Sequence, residues 1–456
     1  MGAYEPTWES LERHRLPRWY DEAKLGIFVH WGAYSVPAWA PVNDAGDVSE
    51  SGYAEWYPRG MYAGGSDVRE RHREYYGSDF EYGRFLEYWR AEAWDPDRWA
   101  EFFADVGAGY VVTTAEHHDG IALWNSDVTD WTTVERGPRR DVIGELGRAV
   151  RDRGMKFAGS FHGLLNFYDP NNPGLFGHPG LDDEGHPGSE YVEFMNEKLR
   201  ELIDVTRPDL LWLDGNWKAS VEEYRTKETI AYYYEQASNE WGKEVVVNDR
   251  LGSGTELRRG DFYTPEYDTF DEISDHKWEA VRGLAGSFGY NRNEPDDHYL
   301  TVTELVRSFV DVVSKNGNLL INVGPRADGT IPRVQRIRLS GLGDWFVVNR
   351  EAIVGSIPWV EATDRTADGT SVRYTWNDGS LYATTFGWPD ESVTVETGET
   401  GPDAVELLTA NGAIDVDWED GRTVTVTTDA RPPADHPGHA YVLRLRGVDH
   451  PDRGVQ

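Results

Sequence analysis

The chain reads as α/β: a (β/α)8-like barrel followed by a C-terminal all-β sandwich. Three observations predict this. Short apolar runs alternate with segments of helical period, as in a parallel sheet fed by helices. Polar and ionisable residues recur where the apolar runs stop, which is where barrel enzymes carry their chemistry. After about Trp359 the helical period gives way to spaced, alternating runs with turn residues between them. The expected division is 1–358 for the barrel, 359–449 for the sandwich and 450–456 as a frayed tail.

The elements follow in order. Leu25 to Val29 is a buried strand that ends at His30-Trp31-Gly32. Residues 34–92 have little periodicity and many aromatics, including Tyr53-Ala54-Glu55-Trp56-Tyr57-Pro58. A loop of that length in a compact domain is usually functional or disordered, and the aromatics argue for order. Asp95 is the N-cap of a helix with Pro96 at its first position and Trp99, Phe102, Phe103 and Val106 on one face. Gly107 and Gly109 end it, and strand Tyr110–Thr114 leads to Glu116-His117-His118-Asp119-Gly120. Asp141 begins the next unit, Gly154 stops its helix, and strand Lys156–Phe161 runs into His162-Gly163. A helix with Val192, Met195, Leu199, Leu202 and Ile203 on its apolar face delivers Leu210-Leu211-Trp212-Leu213-Asp214-Gly215. There a carboxylate appears just as a buried strand stops, and the remaining groups can be read as aimed at it. A helix over Glu222–Gln236 precedes strand Glu244–Asn248 and Asp249-Arg250. Helix Thr303–Val313 precedes strand Asn318–Val323. In the sandwich, Val372–Trp376, the turn Asn377-Asp378-Gly379 and Leu381–Phe386 form a hairpin. Ser392–Val395, Val405–Leu408, Ile414–Trp418, Val424–Thr427 and Tyr441–Leu445 are further strands.

Composition narrows the function. The net charge is −35, from 80 Asp and Glu against 45 Lys and Arg, and only eight residues are lysine. An acidic, lysine-poor surface fits a protein adapted to high salt, where its self-repulsion is screened. It argues against nucleic acid as a partner, which needs a basic face. No cysteine is present, so disulfides, thiolate metal sites and cysteine nucleophiles are excluded. The N-terminus carries no basic and apolar signal region, and no uncharged run reaches membrane length. A cytoplasmic protein that does not bind membranes is therefore expected. The 19 Trp residues suit sugar rings, and suit a protein core equally well.

Neither a phosphate-cradling glycine loop nor a Gly-x-Ser-x-Gly elbow occurs. A metal site at His117-His118 is disfavoured, because neighbours on a regular strand point to opposite faces and no His-Glu-x-x-His spacing supports it. No metal and no cofactor are expected. A carboxylate pair remains, as in glycoside hydrolysis. Asp214 supplies one member, with capping of the next element as its structural alternative. Glu266, in Thr264-Pro265-Glu266-Tyr267, ends a short strand beginning Asp261-Phe262-Tyr263, and its neighbours would desolvate it and raise its pKa, as a general acid requires. Many other acids compete with it on sequence chemistry alone.

The ordered motifs Gly-Ile-Phe-Val-His-Trp-Gly, Glu-His-His-Asp-Gly, Arg-Gly-Pro-Arg-Arg-Asp, Leu-Trp-Leu-Asp-Gly, Val-Asn-Asp-Arg, Thr-Pro-Glu-Tyr, Lys-Trp-Glu, Ser-Phe-Gly-Tyr-Asn and Asn-Leu-Leu-Ile-Asn-Val-Gly-Pro resemble those of the retaining α-L-fucosidases of glycoside hydrolase family 29. The resemblance runs from Trp19 to the sandwich. It implies hydrolysis of terminal α-L-fucosyl linkages of a fucosylated glycan or fucoside through a covalent intermediate. Asp214 would be the nucleophile and Glu266 the acid/base, with Glu55 as competing candidate. His30, Glu55, Trp56, His117, His118 and Arg250 match positions that hold the fucose hydroxyls, which implies a bend at His117. Phe28, Trp212 and Phe288 match the apolar wall for the C5 methyl. Burying that methyl is worth ~0.8 kcal/mol, and a hydroxyl left unpaired there costs ~1–3 kcal/mol.

The chain departs from the family after its third strand. The usual Tyr-Tyr-Ser-Gly-Gly is here Ser160-Phe161-His162-Gly163-Leu164. Either a neighbouring aromatic fills the gap or the pocket is looser. Two other readings therefore stay open: an exo-glycosidase for another 6-deoxy or galacto-configured sugar, and a non-hydrolytic carbohydrate-binding protein on the same scaffold. The oligomeric state is left open, a homo-oligomer included.

Overall fold

The structure is a computed structural model that describes residues 4–42, 52–62, 65–164, 166, 188–215, 219–389, 392–397, 401–419, 423–427 and 436–451. Seven strands form one curled parallel sheet: β1 (Leu25–Val29), β2 (Tyr110–Glu116), β3 (Lys156–Phe161), β4 (Leu210–Leu213), β5 (Val246–Val247), β6 (Trp278–Gly283) and β7 (Gly317–Val323). Their order is β5-β4-β3-β2-β1-β7-β6. Between β5 and β6 runs the extended segment 261–267. Single parallel bridges join Asn248 to Phe262, Tyr263 to Trp278 and Glu266 to Val281. These bridges carry the ring from one edge of the sheet to the other, so the barrel closes through an irregular seam.

Alternate residues of each strand serve two cores. Phe28, Tyr110, Val112, Ala158, Leu210, Trp212, Val281 and Leu320 fill the barrel interior. Ile27, Val111, Phe157, Phe161, Leu211, Leu213 and Ile321 pack outward with the helices. The helices start where short polar side chains satisfy free backbone N–H groups. Asp95 accepts from the amides of Asp97 and Arg98, both at 3.1 Å, at the head of Pro96–Val106. Thr301 and Glu304 make a reciprocal capping box for Val302–Ser314.

In the barrel, two expected elements differ. The helix anticipated over Glu222–Gln236 is broken into Val221–Tyr224 and Thr226–Glu235 by Arg225 at φ 59°. The Thr226 hydroxyl donates to the Leu251 carbonyl at 2.7 Å, tying the second start to the loop after β5. The strand expected over Glu244–Asn248 shrinks to two residues, because the Asn248 side chain replaces the ladder. Its amide accepts from Leu213 N at 2.9 Å and donates to Leu213 O at 2.8 Å, which squares off β4 one residue before Asp214.

The C-terminal part holds a six-stranded and a three-stranded antiparallel sheet. Val372, Leu381, Val405, Leu407, Leu443 and Leu445 of the larger face Val393, Val395, Val424 and Val426 of the smaller. The hairpin at Asn377–Ser380 turns through Asp378 and Gly379 at φ 44° and 72°, the positive values a two-residue hairpin turn requires. The run Ile414–Trp418 is not one strand. It changes sheets, with Gly412–Asp415 on the larger and Trp418–Glu419 on the smaller. A strand over Ile357–Arg365 adds to those expected. His450 does not fray: it is buried, and its ring meets Trp359 and Trp376 at 5.2 and 5.6 Å. The larger sheet's other face lies on the barrel, where Trp345 Nε1 donates to Ala440 O at 2.8 Å. Among the described residues, no helix is long and apolar enough to cross a membrane.

Candidate active site

Asp214 follows β4 directly and is buried. Its Oδ2 lies 3.0 Å from His162 Nδ1 and 3.4 Å from His118 Nε2, and its Oδ1 accepts from an Arg250 terminal nitrogen at 3.0 Å. Burial alone would push this carboxyl up. The hydrogen bonds from His118 and His162 and the Arg250 charge outweigh burial and hold it well below the usual carboxylate range.

The same Arg250 nitrogen donates to Glu266 Oε2 at 2.9 Å. Two hydrogen-bond lengths therefore join Asp214 Oδ1 to Glu266 Oε2, leaving these oxygens less than ~6 Å apart, in the neighbourhood of the ~5–5.5 Å that retaining glycosidases use. The rest of the guanidinium is clamped. Its Nε donates to Thr264 Oγ1 and its other terminal nitrogen to Thr264 O, both at 3.0 Å, and Thr264 donates to Asp249 at 2.6 Å. Burial works against the Arg250 charge, but Glu266 and Asp214 beside it raise its pKa.

Glu266 is less enclosed than its sequence neighbours suggested. Its side chain keeps 30% exposure, because the Tyr267 hydroxyl turns away to the carbonyls of Ala285 and Gly286. Tyr53 donates to Glu266 Oε1 at 2.9 Å.

Glu55 is fully buried across the chamber. Its Oε2 accepts from Gly289 N at 2.7 Å and Ser287 Oγ at 3.1 Å. Burial pushes its carboxyl up to about 7, against those hydrogen bonds. Ser287 N in turn donates to Glu294 at 2.8 Å.

The two adjacent histidines both enter the chamber. The register of β2 against β3 shifts between Thr114 and Glu116, and the chain leaves the strand at His117. That irregularity defeats the alternation, and the His117 and His118 rings lie 4.5 Å apart. His30 Nδ1 donates to Asn322 Oδ1 at 2.7 Å, and the Asn322 amide donates to Phe288 O at 2.6 Å. One β7 side chain thus orients both the imidazole and an aromatic wall. Burial pushes His30, His117 and His162 down, so these rings are neutral.

Phe28 and Trp212 meet edge to face at 5.1 Å, and Phe288 completes the apolar side. The space that Ser160 leaves is taken by His162, whose ring lies over Trp212 at 5.8 Å and 25°. All eleven site residues singled out in the sequence line this one cavity: Phe28, His30, Glu55, Trp56, His117, His118, Trp212, Asp214, Arg250, Glu266 and Phe288. Tyr53, His162 and Val281 line it too. In the sequence Tyr53 stands only within an aromatic loop, and its position two residues before Glu55 is the available signal. Among the described residues, two clusters have metal-ligating geometry, His30 with His117 and His162, and His118 with His162 and Asp214. Hydrogen bonds to Asn322, Ser160 and the His162 carbonyl already orient three of those rings.

Known proteins resemble the chain over nearly its whole length. The family model described as Alpha-L-fucosidase matches residues 1–351. The alpha-L-fucosidase of Dictyostelium discoideum is 34% identical, over 98% of this chain and 96% of that protein. The tissue alpha-L-fucosidase of Homo sapiens is 32% identical, over 98% of this chain and 92% of that protein. A crystal structure of Thermotoga maritima alpha-fucosidase in complex with fucose superposes with a TM-score of 0.81 at 37% identity, covering 97% of this chain and 100% of that one. The chain belongs to the α-L-fucosidases of glycoside hydrolase family 29.

Proposed function

We propose that this chain carries out the retaining hydrolysis of terminal α-L-fucosyl linkages on Asp214 and Glu266. Asp214 attacks the anomeric carbon as Glu266 protonates the departing glycosidic oxygen. Glu266 then takes a proton from water, which attacks the anomeric carbon and frees Asp214. The observation that carries this reading is the single Arg250 nitrogen touching both carboxylates. With the His118 and His162 hydrogen bonds it keeps Asp214 ionised, and it links the two acids over a distance that fits retention. His30, Glu55, Trp56, His117, His118 and Arg250 supply polar groups for the sugar hydroxyls, and Phe28, Trp212 and Phe288 supply an apolar face for the methyl. The test is to hydrolyse an aryl α-L-fucoside at high salt and follow the first-formed anomer by NMR. The expected first product is α-L-fucose. A β first product, or faster cleavage of an aryl β-D-galactoside, would remove the reading.

A second assignment of the acid/base is favoured by one observation. Glu55 is the buried carboxyl raised to about 7, the value a general acid needs at neutral pH. Its Oε2, however, is tied to the Ser287–Gly289 backbone turn, whereas Glu266 faces the nucleophile through Arg250, and geometry ranks first. Glu266→Ala should restrict turnover to substrates with good leaving groups, with azide giving a retained fucosyl azide. Glu55→Ala should instead raise KM. The reverse pattern moves the role to Glu55.

Adaptation to high salt belongs to the same proposal. It is supported by the net charge of −35 and by the placement of the few lysines. Lys24, Lys198, Lys277 and Lys315 are buried, facing Asp21, Glu116, Asp21 and Asp311, so they add little to the surface. Full folding and activity in dilute buffer would remove this part.

A further inference from the structure

Ser160 shares the inward side of β3 with Ala158, while Phe157 and Phe161 face the helices. A serine at this position leaves unfilled the volume that an aromatic would take, and the His162 ring folds back into it. His162 is 2% exposed, and both of its nitrogens are used. Nδ1 lies 3.0 Å from Asp214 Oδ2, and Nε2 lies 2.9 Å from Ser160 Oγ. An ionised carboxylate only accepts, so the hydrogen is on Nδ1. In the neutral ring Nε2 then accepts from the Ser160 hydroxyl. The residue's backbone does a second job, because the His162 carbonyl accepts from His118 Nδ1 at 2.9 Å and so turns His118 Nε2 toward Asp214 Oδ2 at 3.4 Å, where it donates when the ring carries a hydrogen on both nitrogens. Two of the three groups on Asp214 are therefore aimed from residue 162.

We propose that Ser160 and His162 form a coupled positioning pair for Asp214: the serine hydroxyl selects the Nδ1–H tautomer, and that N–H holds one carboxylate oxygen while Arg250 holds the other. A bulky residue at 160 would take the ring's place, and a small one at 162 would leave Ser160 with no partner and Asp214 with one donor fewer. Fixing an imidazole tautomer through a hydrogen bond on its far nitrogen is the general device. The inference rests on Asp214 being the nucleophile.

The experiment compares kcat and KM for an aryl α-L-fucoside, from acid to alkaline pH at high salt, in wild type, His162→Phe, His162→Asn, Ser160→Ala and Asp214→Gly. His162→Phe keeps a ring but loses the donor. It should lower kcat/KM about 10–100-fold, the size of a lost hydrogen bond to a charged group, and move the acid limb to higher pH, since Asp214 then protonates sooner. His162→Asn returns an N–H near the same place and should recover most of the loss. Ser160→Ala, which removes one oxygen, should shift the limb in the same direction by less, and it carries the test alone should His162→Phe not fold. Wild-type kcat/KM and an unmoved acid limb in His162→Phe or Ser160→Ala would overturn the proposal. So would His162→Asn falling as far as His162→Phe, since shape alone would then explain both. Asp214→Gly separates the two readings: if it stays active without azide, the nucleophile assignment fails, and if it is dead but azide-rescued while His162→Phe is normal, only this inference fails.

Discussion

Two buried carboxylates stand one above the other in the barrel, and they behave in opposite ways. Asp214, at the open end, is 5% exposed, and Glu279, on β6, is 0% exposed. Glu279 takes hydrogen bonds from the Tyr20 and Tyr110 hydroxyls and from Trp212 Nε1 at 3.1 Å, all of them neutral donors. Burial pushes it up to about 7. Asp214 has an Arg250 charge and two imidazoles, and it is held low. Burial therefore does not decide a carboxylate's state. Its donors do: Asp214 has two imidazole hydrogen bonds and an adjacent guanidinium charge, while the hydroxyls and indole around Glu279 repay only part of the desolvation. Trp212 separates the two centres, with its N–H toward the lower one and its ring beside the upper, where the Arg250 guanidinium lies 5.0 Å away.

The comparison can be broken at several points. Asp214→Gly should have the largest effect, a loss of ~10⁴-fold or more in turnover of the kind seen on deleting a nucleophile. Azide should restore part of it as the β-fucosyl azide. A product of retained configuration would show that another group attacks. Glu266→Ala should cost ~10²–10⁴-fold on natural leaving groups and much less on activated aryl fucosides. Equal losses on both classes would mean that it does not protonate the leaving oxygen. Arg250→Lys keeps a positive charge but cannot clamp Thr264 while spanning both acids. It should lower kcat about 10–100-fold, and an unchanged kcat would show that charge alone suffices.

The smallest effect should come from the lower centre, read in stability. Glu279 has a folded pKa of about 7 against an ordinary 4.5. The folded form holds its proton more tightly, so this contribution is complete below about 4.5 and is lost as pH rises through 7. Glu279→Gln should flatten unfolding free energy against pH across that window. Asp214 has the opposite sign: its contribution is present above the usual carboxylate value and is lost as pH falls. A Glu279→Gln curve parallel to wild type would mean that the lower carboxyl does not titrate there.

The sequence made the two centres unequally legible. Asp214 ends a regular, fully apolar strand, so its position followed from pattern alone. Glu266 rides the seam, where isolated bridges replace a ladder, and period 2 has no length over which to appear. The bend at His117 comes from a register shift against β3, which no local pattern encodes. The ordered motifs implied it instead. The contact of His162 with Ser160 joins a residue just past the end of β3 to one inside it, and a residue-by-residue transfer could not supply that. Glu279 was hidden for a related reason: its three donors come from residues 20, 110 and 212, brought together only when the ring closes.

The doubly engaged nitrogen of Arg250 has a further consequence. It acts as a gauge block, since one atom and two contacts span the two acids in addition to the backbone bonds that hold each of them. The seam carrying Glu266 can thus drift in neighbouring sequence without altering which anomer is released, so long as the guanidinium stays gripped by Thr264. Handedness of the product would then be inherited through a side chain's reach as well as through the strand geometry around it.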